Sequence, residues 1–497
     1  MFYSTTKMID ITGVLERDAK TSTGEKISLH KQLVARLQRA ILSGRLPSGV
    51  ALSSSRELAS ELGVSRNTVV LAYEHLAAEG YVIADQQGTR VAELNLQNEV
   101  LNSDIETKGK PLTLASRWKT FSDVSFPSLP KAALLAPGLP SLTDFPLASW
   151  QRSLERAVKQ LHRHSLASKD PLGEPSLRKA IAAHLHISRG AQCDAEQVVI
   201  TEGAQQALEL CVTLMTNPDD TVWIEDPCYN GVKSALETGS LKIIPIPVDK
   251  EGISVTNDLW LINVPKLIFT SPAHQYPTGA VLSVSRRLEL LDQARKAGSW
   301  IIEDDYDGDF RHFGSPIACM QGLTNNSPVI YIGSFSKTMY PTLRVGFMVI
   351  PKQIMNQADP VLSKLLRSNN QLQQTALADF ITSGEFGRHL GRMRRIYRER
   401  QKVLKTALVQ HFKEDWILGG SAGMHLTLKL PASIDDKYVA RKAKELGIDV
   451  YALSTFYSEA KSNHSGLVIG YGNTHKDKIP EAIDILSKLI KFNEYEF

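Results

Sequence analysis

From Ser28 onward the hydrophobic positions fall into two periodicities, and the switch from one to the other divides the chain. Leu29, Leu33, Leu37, Ala40 and Ile41 recur at helical spacing until Ser43-Gly44, which predicts a first helix. Ser54-Ser55-Arg56-Glu57 has the Ser-x-x-Glu form of a capping box, so Leu58, Ala59 and Leu62 read as the inner face of a short second helix that Gly63 breaks. A third helix opens at Ser65, turns Val69, Ala72, Tyr73 and Leu76 inward and stops at Gly80. Two helices joined by a tight glycine-bearing turn predict a helix-turn-helix, and residues 81–91 read as a two-stranded wing after it.

Residues 1–27 are polar and aperiodic, a lead-in to the domain at 28–93. Residues 94–132 lose periodicity and collect Asn, Ser, Thr, Lys and Pro, the composition of an interdomain linker. Beyond it, short β-branched runs alternate with amphipathic stretches: 198–200, 221–224, 242–246, 267–270, 300–302 and 329–332. Buried strands alternating with helices predict a three-layer α/β domain with a largely parallel sheet over residues 133–413, and residues 414–497 read as a small C-terminal α+β subdomain. The fold class is therefore multidomain.

Composition adds mainly exclusions. The 497 residues are 42% hydrophobic and 22% charged, ordinary for a globular protein. No run of about 18 apolar residues and no signal-peptide core are present, so no membrane segment and a cytoplasmic location are expected. Cys193, Cys211, Cys228 and Cys319 show neither close pairing nor metal-ligand spacing, which predicts free thiols and no metal. A net charge of +4 implies no polyanion partner by itself, and residues 27–92 carry seven Lys/Arg against five Asp/Glu. Any case for nucleic acid rests on where Arg56, Arg66 and Arg90 stand.

The chemistry sits at the strand ends. No Gly-x-Gly-x-x-Gly follows any of the predicted strands, which argues against a dinucleotide fold. Instead, Thr201-Glu202-Gly203-Ala204-Gln205 opens a helix whose amides suit a phosphate. Glu225-Asp226-Pro227-Cys228-Tyr229 offers an aromatic ring to stack on a pyridine, and Glu303-Asp304-Asp305-Tyr306 offers a carboxylate for a pyridinium nitrogen and a phenol for a ring hydroxyl. Ser334-Phe335-Ser336-Lys337 then places an amine between two serines, seven residues before Arg344. That is what an amine condensing with the aldehyde of pyridoxal 5'-phosphate requires.

Two resemblances follow from these residues. The segments Ala40-Ile41-Leu42-Ser43-Gly44-Arg45-Leu46-Pro47, Val64-Ser65-Arg66-Asn67-Thr68-Val69 and Glu79-Gly80-Tyr81 resemble the winged helix-turn-helix of the GntR regulators. In such a fold the third helix enters the major groove, so the resemblance implies DNA contacts by Ser65, Arg66, Asn67 and Thr68, with Arg56 and Arg90 on the backbone. Gln86 departs from it, standing where the family wing usually has a glycine. The second half resembles fold-type-I pyridoxal-phosphate aminotransferases, and the whole chain resembles the MocR subfamily. That resemblance implies Lys337 as the cofactor-bearing lysine and the one catalytic residue, Asp304 at the pyridine nitrogen and Tyr306 at the phenolic oxygen. It also implies Tyr229 stacked on the ring and Gly203, Ala204, Gln205, Ser334, Ser336 and Arg344 around the phosphate.

Three positions depart from the catalytic relatives: Ser168 replaces a tyrosine, Tyr276 the asparagine before Pro-Thr-Gly, and Val468 the arginine that grips a substrate carboxylate. A basic run, Arg388, Arg392, Arg394, Arg395, Arg398, Arg400 and Lys402, reads either as a solvated helix face or as an auxiliary DNA-backbone patch. The expectation is a homodimeric transcription regulator that binds a double-stranded operator and senses a small-molecule effector, pyridoxal phosphate favoured over an amino acid or amine, with little or no turnover. The alternative is an active aminotransferase with an accessory DNA-binding domain.

Overall fold

The computed structural model describes residues 15, 16, 19, 26–86, 88–94, 133–161, 170–366, 370–458 and 464–496. The chain divides into two compact units, Met1–Thr113 and Leu114–Phe497. Most of the stretch read as a linker lies outside the described residues.

The first unit contains α1 (Leu29–Leu42), α2 (Ser55–Leu62), α3 (Arg66–Ala78), β1 (Val82–Asp85) and β2 (Gly88–Val91). Its ends form for the reasons the residues suggest. The Ser54 side chain accepts from Glu57 N at 3.3 Å while Glu57 Oε2 accepts from Ser54 N at 3.0 Å, satisfying two otherwise orphaned donors. Gly63, at φ 64°, ends α2 in the left-handed region. Ser65 then caps α3 through Thr68 N. Leu33, Leu37, Leu58, Val69 and Leu76 are fully buried together. Truncating any one to alanine would cost about 2–5 kcal/mol. β1 and β2 pair antiparallel from Val82 opposite Val91 to Asp85 opposite Gly88.

The second unit is built on an eight-stranded sheet of β3 (Val198–Thr201), β4 (Thr221–Asp226), β5 (Lys242–Asp249), β6 (Gly252–Ile253), β7 (Leu267–Thr270), β8 (Trp300–Asp305), β9 (Val329–Ser334) and β10 (Gly346–Val349). Its order is β3-β10-β9-β8-β7-β4-β5-β6. β4, β5, β7, β8 and β9 are parallel, while β10 runs antiparallel to both β3 and β9. All six predicted runs lie in strands, and β10 is an addition. Buried clusters pack on both faces, as a sheet of continuous apolar strands requires.

A second, antiparallel sheet holds β11 (Ile417–Gly419), β12 (His425–Leu430), β13 (Tyr451–Ala452) and β14 (Ser465–Gly470), in the order β11-β12-β14-β13. One buried cluster runs from Leu135 and Trp150 through Leu404 of the helix Glu385–Val409 to Leu426, Leu467 and Ile483. The small sheet thus shares its core with the large one.

Candidate cofactor cavity and DNA-contact face

The carboxyl ends of β3, β4, β8 and β9 meet, and the loops leaving them enclose a cavity of about 360 Å³. Gly203, Ala204, Gln205, Tyr229, Asp304, Tyr306, Ser334, Ser336, Lys337 and Arg344 all line it. Ten positions spread from 203 to 344 therefore converge on one volume. Crevices at the carboxyl ends of parallel strands are the usual ligand sites of α/β sheets.

At one end, Gly203 precedes the helix Ala204–Met215, whose first turn has no side-chain cap, so its leading amides are open to an anion. Ser336 N donates to Ser334 Oγ at 3.2 Å and draws both hydroxyls to that end. Arg344 is exposed, held at φ 53°, and forms no ion pair among the described residues. A left-handed non-glycine residue is strained, and such strain gathers at functional sites. Gly346 allows the close approach: a Cβ there would come within 2.6 Å of the Gly203 backbone.

At the centre, Lys337 Nζ donates to Gly138 O at 2.8 Å. Burial pushes its amine below the ordinary lysine range, against the pull of Asp307 and Asp304. Burial pushes Asp304 up to about 7, reinforced by the carboxylates of Asp305, Asp307 and Glu225 and opposed by Lys337. Asp304 Oδ1 is buried without a partner. A buried lone acceptor beside a lysine suits a protonated ring nitrogen. The residues present therefore fit pyridoxal phosphate.

Several lining residues received no cofactor role in the sequence: Gly138, Tyr276, Asp307, Met424, His425 and Tyr451. The turn around Tyr276 was visible as a motif. Met424, His425 and Tyr451 come from the second sheet and carry no local signature. The Tyr276 ring stands edge-on to Tyr229, Tyr306 and His425, at centroid distances of 6.1, 5.8 and 5.1 Å. Behind Tyr306, His274 Nδ1 lies 3.0 Å from both Asp307 Oδ1 and the Tyr306 hydroxyl. His425 bonds through Nε2 to Pro277 O at 3.0 Å, and burial pushes it down to about 3, so it is neutral. His274, Asp307 and His425 bring potential ligand atoms within 4.8 Å of one another. Their hydrogen bonds to one another, to Tyr306 and to Pro277 O already engage one nitrogen of each ring.

Val468 is fully buried in β14 opposite Thr427 and packs with Leu453 and Phe456 behind Tyr276, not against the cavity. Ser168 lies outside the described residues. Arg388 pairs with Glu385 at 2.9 Å and Arg392 with Asp144 at 3.4 Å. Neither lines the cavity, whose arginine and lysine side chains are Arg344 and Lys337.

In the first unit, Arg56, Ser65, Arg66 and Asn67 are exposed at the starts of α2 and α3. Arg66 Nε donates to Ser55 Oγ at 3.2 Å, which fixes its stem. Ser65 Oγ caps the helix by accepting from Thr68 N at 3.2 Å and lies 2.9 Å from Thr68 Oγ1. Arg90 pairs with Asp85 at 2.7 Å on the wing.

Residues 29–91 match the family of bacterial regulatory proteins, gntR family, and residues 142–484 match aminotransferase class I and II. The chain is 34% identical over 476 residues to the probable rhizopine catabolism regulatory protein MocR of Rhizobium meliloti, covering 95% of this chain and 94% of that one. It is 28% identical over 459 residues to the pyridoxine biosynthesis transcriptional regulator PdxR of Corynebacterium glutamicum, covering 92% and 94%. Among solved structures, kynurenine aminotransferase of Pyrococcus horikoshii superposes with a TM-score of 0.67 at 27% identity, over 73% of this chain and 91% of that one. The fold and domain order define a DNA-binding winged helix-turn-helix fused to an aminotransferase-like domain. More closely, the chain belongs to the MocR subfamily of the GntR transcription regulators.

Proposed function

We propose that the aminotransferase-like unit holds pyridoxal 5'-phosphate through Lys337 and that its occupancy by a small molecule sets the DNA affinity of the winged helix in a cytoplasmic homodimer. The observation that carries this reading is the cavity itself, where the Lys337 amine, the partnerless Asp304 oxygen and the Arg344 end lie together. When bound, pyridoxal phosphate supplies an aldehyde that condenses with primary amines and an electron-withdrawing ring. The chain's own groups do the rest. The amides of Ala204 and Gln205, the hydroxyls of Ser334 and Ser336 and the Arg344 guanidinium bind the phosphate, Arg344 by charge-assisted bonds. Tyr229 covers the ring, Asp304 keeps the ring nitrogen protonated, and Tyr306, backed by His274 and Asp307, orients the ring oxygen.

The favoured effector is pyridoxal phosphate. A substrate α-carboxylate must be desolvated to enter, and among the described residues no arginine or lysine beyond Lys337 and Arg344 lines the cavity to receive it. The similarity to a pyridoxine biosynthesis regulator supports the same reading. An amino acid or amine effector is the alternative, and both leave turnover low. Arg56, Ser65, Arg66, Asn67, Thr68 and Arg90 carry the DNA contacts, with Arg66 and Asn67 directed to base edges. A footprint on DNA flanking the protein's own gene, with and without pyridoxal phosphate, tests the reading. Protection that changes with the cofactor supports it, and identical footprints refute the sensing role.

A further inference from the structure

The arginine run on the helix Glu385–Val409 is not one surface. Arg400 is buried, donates to Gly472 O at 2.5 Å and pairs with Asp144 at 2.9 Å. Arg394 donates to Asp309 O at 2.6 Å, and Arg388 and Arg392 are held by Glu385 and Asp144. Arg392, Arg394 and Arg400 thus bind the helix to its surroundings, while Arg388 is taken within the helix's own first turn. The other cations separate onto a different face: Arg395, Arg398, Lys402 and Lys405, at helical spacings of three, four and three, are all exposed and line one groove of about 960 Å³.

Their partners show which charge remains available. Lys405 pairs with Glu414 at 2.7 Å, and Glu399, the other acid in the groove, is taken by Lys476 at 2.5 Å. The Arg398 guanidinium lies 5.9 Å from the Phe313 ring centroid, which steadies it without neutralising it. Arg395 and Lys402 form no ion pair among the described residues. A row of three unneutralised cations on a rigid helix is therefore presented in an open groove. Isolated surface charges are usually solvated singly, whereas a row along one groove matches a row of phosphates.

We infer that this groove is a second DNA-backbone contact, on the aminotransferase-like unit, engaging the sugar-phosphate chain flanking the sequence read by α3. The inference rests on the regulator's binding to operator DNA, and charge complementarity selects that occupant. Because both units belong to one chain, binding of the winged helix raises the local concentration of phosphate at the groove, so weak contacts count without affinity of their own. They carry no sequence information.

The test uses the full-length protein loaded with pyridoxal phosphate, titrated on an operator fragment with long flanks between 50 and 200 mM salt. Each lost phosphate contact lowers the salt slope by about 0.9, so Arg395→Ala with Lys402→Ala lowers it by about 1.8, and the wild type loses about twelvefold more affinity than the variant across that range. The ratio of operator to nonspecific binding stays unchanged, Arg395→Lys with Lys402→Arg restores the slope, and trimming the flanks removes the difference. Arg66→Ala serves as reference. If Arg66→Ala abolishes binding while the double variant keeps the wild-type slope, the groove has no DNA role and falls alone, and an acidic protein surface becomes its candidate occupant. If Arg66→Ala leaves binding intact, the winged-helix reading falls first.

Discussion

The amine of Lys337 is held by the carbonyl of Gly138, 2.8 Å away and 199 positions earlier in the chain. Gly138 sits at φ 72°, and a Cβ there would come within 2.7 Å of that amine. Gly138→Ala therefore adds backbone strain of about 1 kcal/mol and displaces the lysine. Cofactor loading of Gly138→Ala, followed by visible absorbance, is expected to fall while the far-ultraviolet dichroism is unchanged. Lys337→Ala is expected to lose borohydride-reducible attachment altogether. Peptide mapping that finds the cofactor fixed to another lysine in that variant would overturn the assignment.

Arg66 stands exposed at the first position of α3 with its Nε on Ser55 Oγ. Its replacement by alanine leaves the buried cluster around Leu37, Leu58 and Leu76 untouched. Operator affinity is expected to drop by about five- to 140-fold, the loss of roughly one to three kcal/mol typical of a base-contacting arginine at about 1.4 kcal/mol per decade, with the cofactor spectrum unaltered. Gel shifts of Arg66→Ala and Arg56→Ala at fixed salt measure it, and wild-type affinity in both would remove the helix-turn-helix from DNA contact.

Asp304 gives a pH dependence whose sign runs against the common carboxylate case. Burial raises its folded pKa to about 7 from an ordinary value of 3.8, so between those values the folded protein holds a proton that the unfolded chain has lost. Stability from this group is complete below the unfolded value, falls by up to about 1.4 kcal/mol per pH unit as pH rises, and levels off above the folded value. In urea melts of cofactor-free protein, wild type is expected to lose stability relative to Asp304→Asn between pH 4 and 7. A constant gap across that window would show that Asp304 is not held neutral.

The lack of a further cation among the described cavity residues has a measurable consequence for substrates. One charge-assisted bidentate contact contributes on the order of 1.5–3 kcal/mol, so amino acids are expected to bind about ten- to a hundredfold more weakly than in a working aminotransferase. Adding a panel of amino acids to the loaded protein is expected to leave both its spectrum and its operator affinity unchanged, whereas pyridoxal phosphate added to the cofactor-free form shifts operator affinity. A micromolar response to an amino acid would replace the cofactor as effector.

The sequence was most legible where local chemistry and global fold agree. The Ser54–Glu57 box, the Gly63 stop and the six apolar runs need only neighbours in the chain. β10 is masked by its place, since Gly346-Phe347-Met348-Val349 begins two residues after Arg344, at the end of the lysine-bearing motif. Its antiparallel place between β3 and β9 is decided by pairing across the sheet. The cavity was legible at the strand ends, where a motif sits beside its strand. His425 and Tyr451 were not, since they reach it from a different sheet. The basic run was visible as charge. Which of its arginines beyond Arg388 were already taken depended on Asp144 and Asp309, residues distant in sequence, while the Glu385–Arg388 pair is local to the helix.

Ser334 lies opposite Gly346 where β9 and β10 pair, and Phe335 N donates to Val345 O at 3.0 Å. The segment bearing Lys337 and Arg344 is thus a ring of chain buckled at its neck. The neck is closed by sheet hydrogen bonds between protein atoms alone, so the ends of the segment that bears lysine and arginine are held together by the fold itself. A socket whose neck is built this way lets occupancy follow the free concentration of a guest without first rebuilding that part of the fold. For the proposed sensing of pyridoxal phosphate that is the useful property, since a reading that had to rebuild its own receptor would lag behind the quantity it measures.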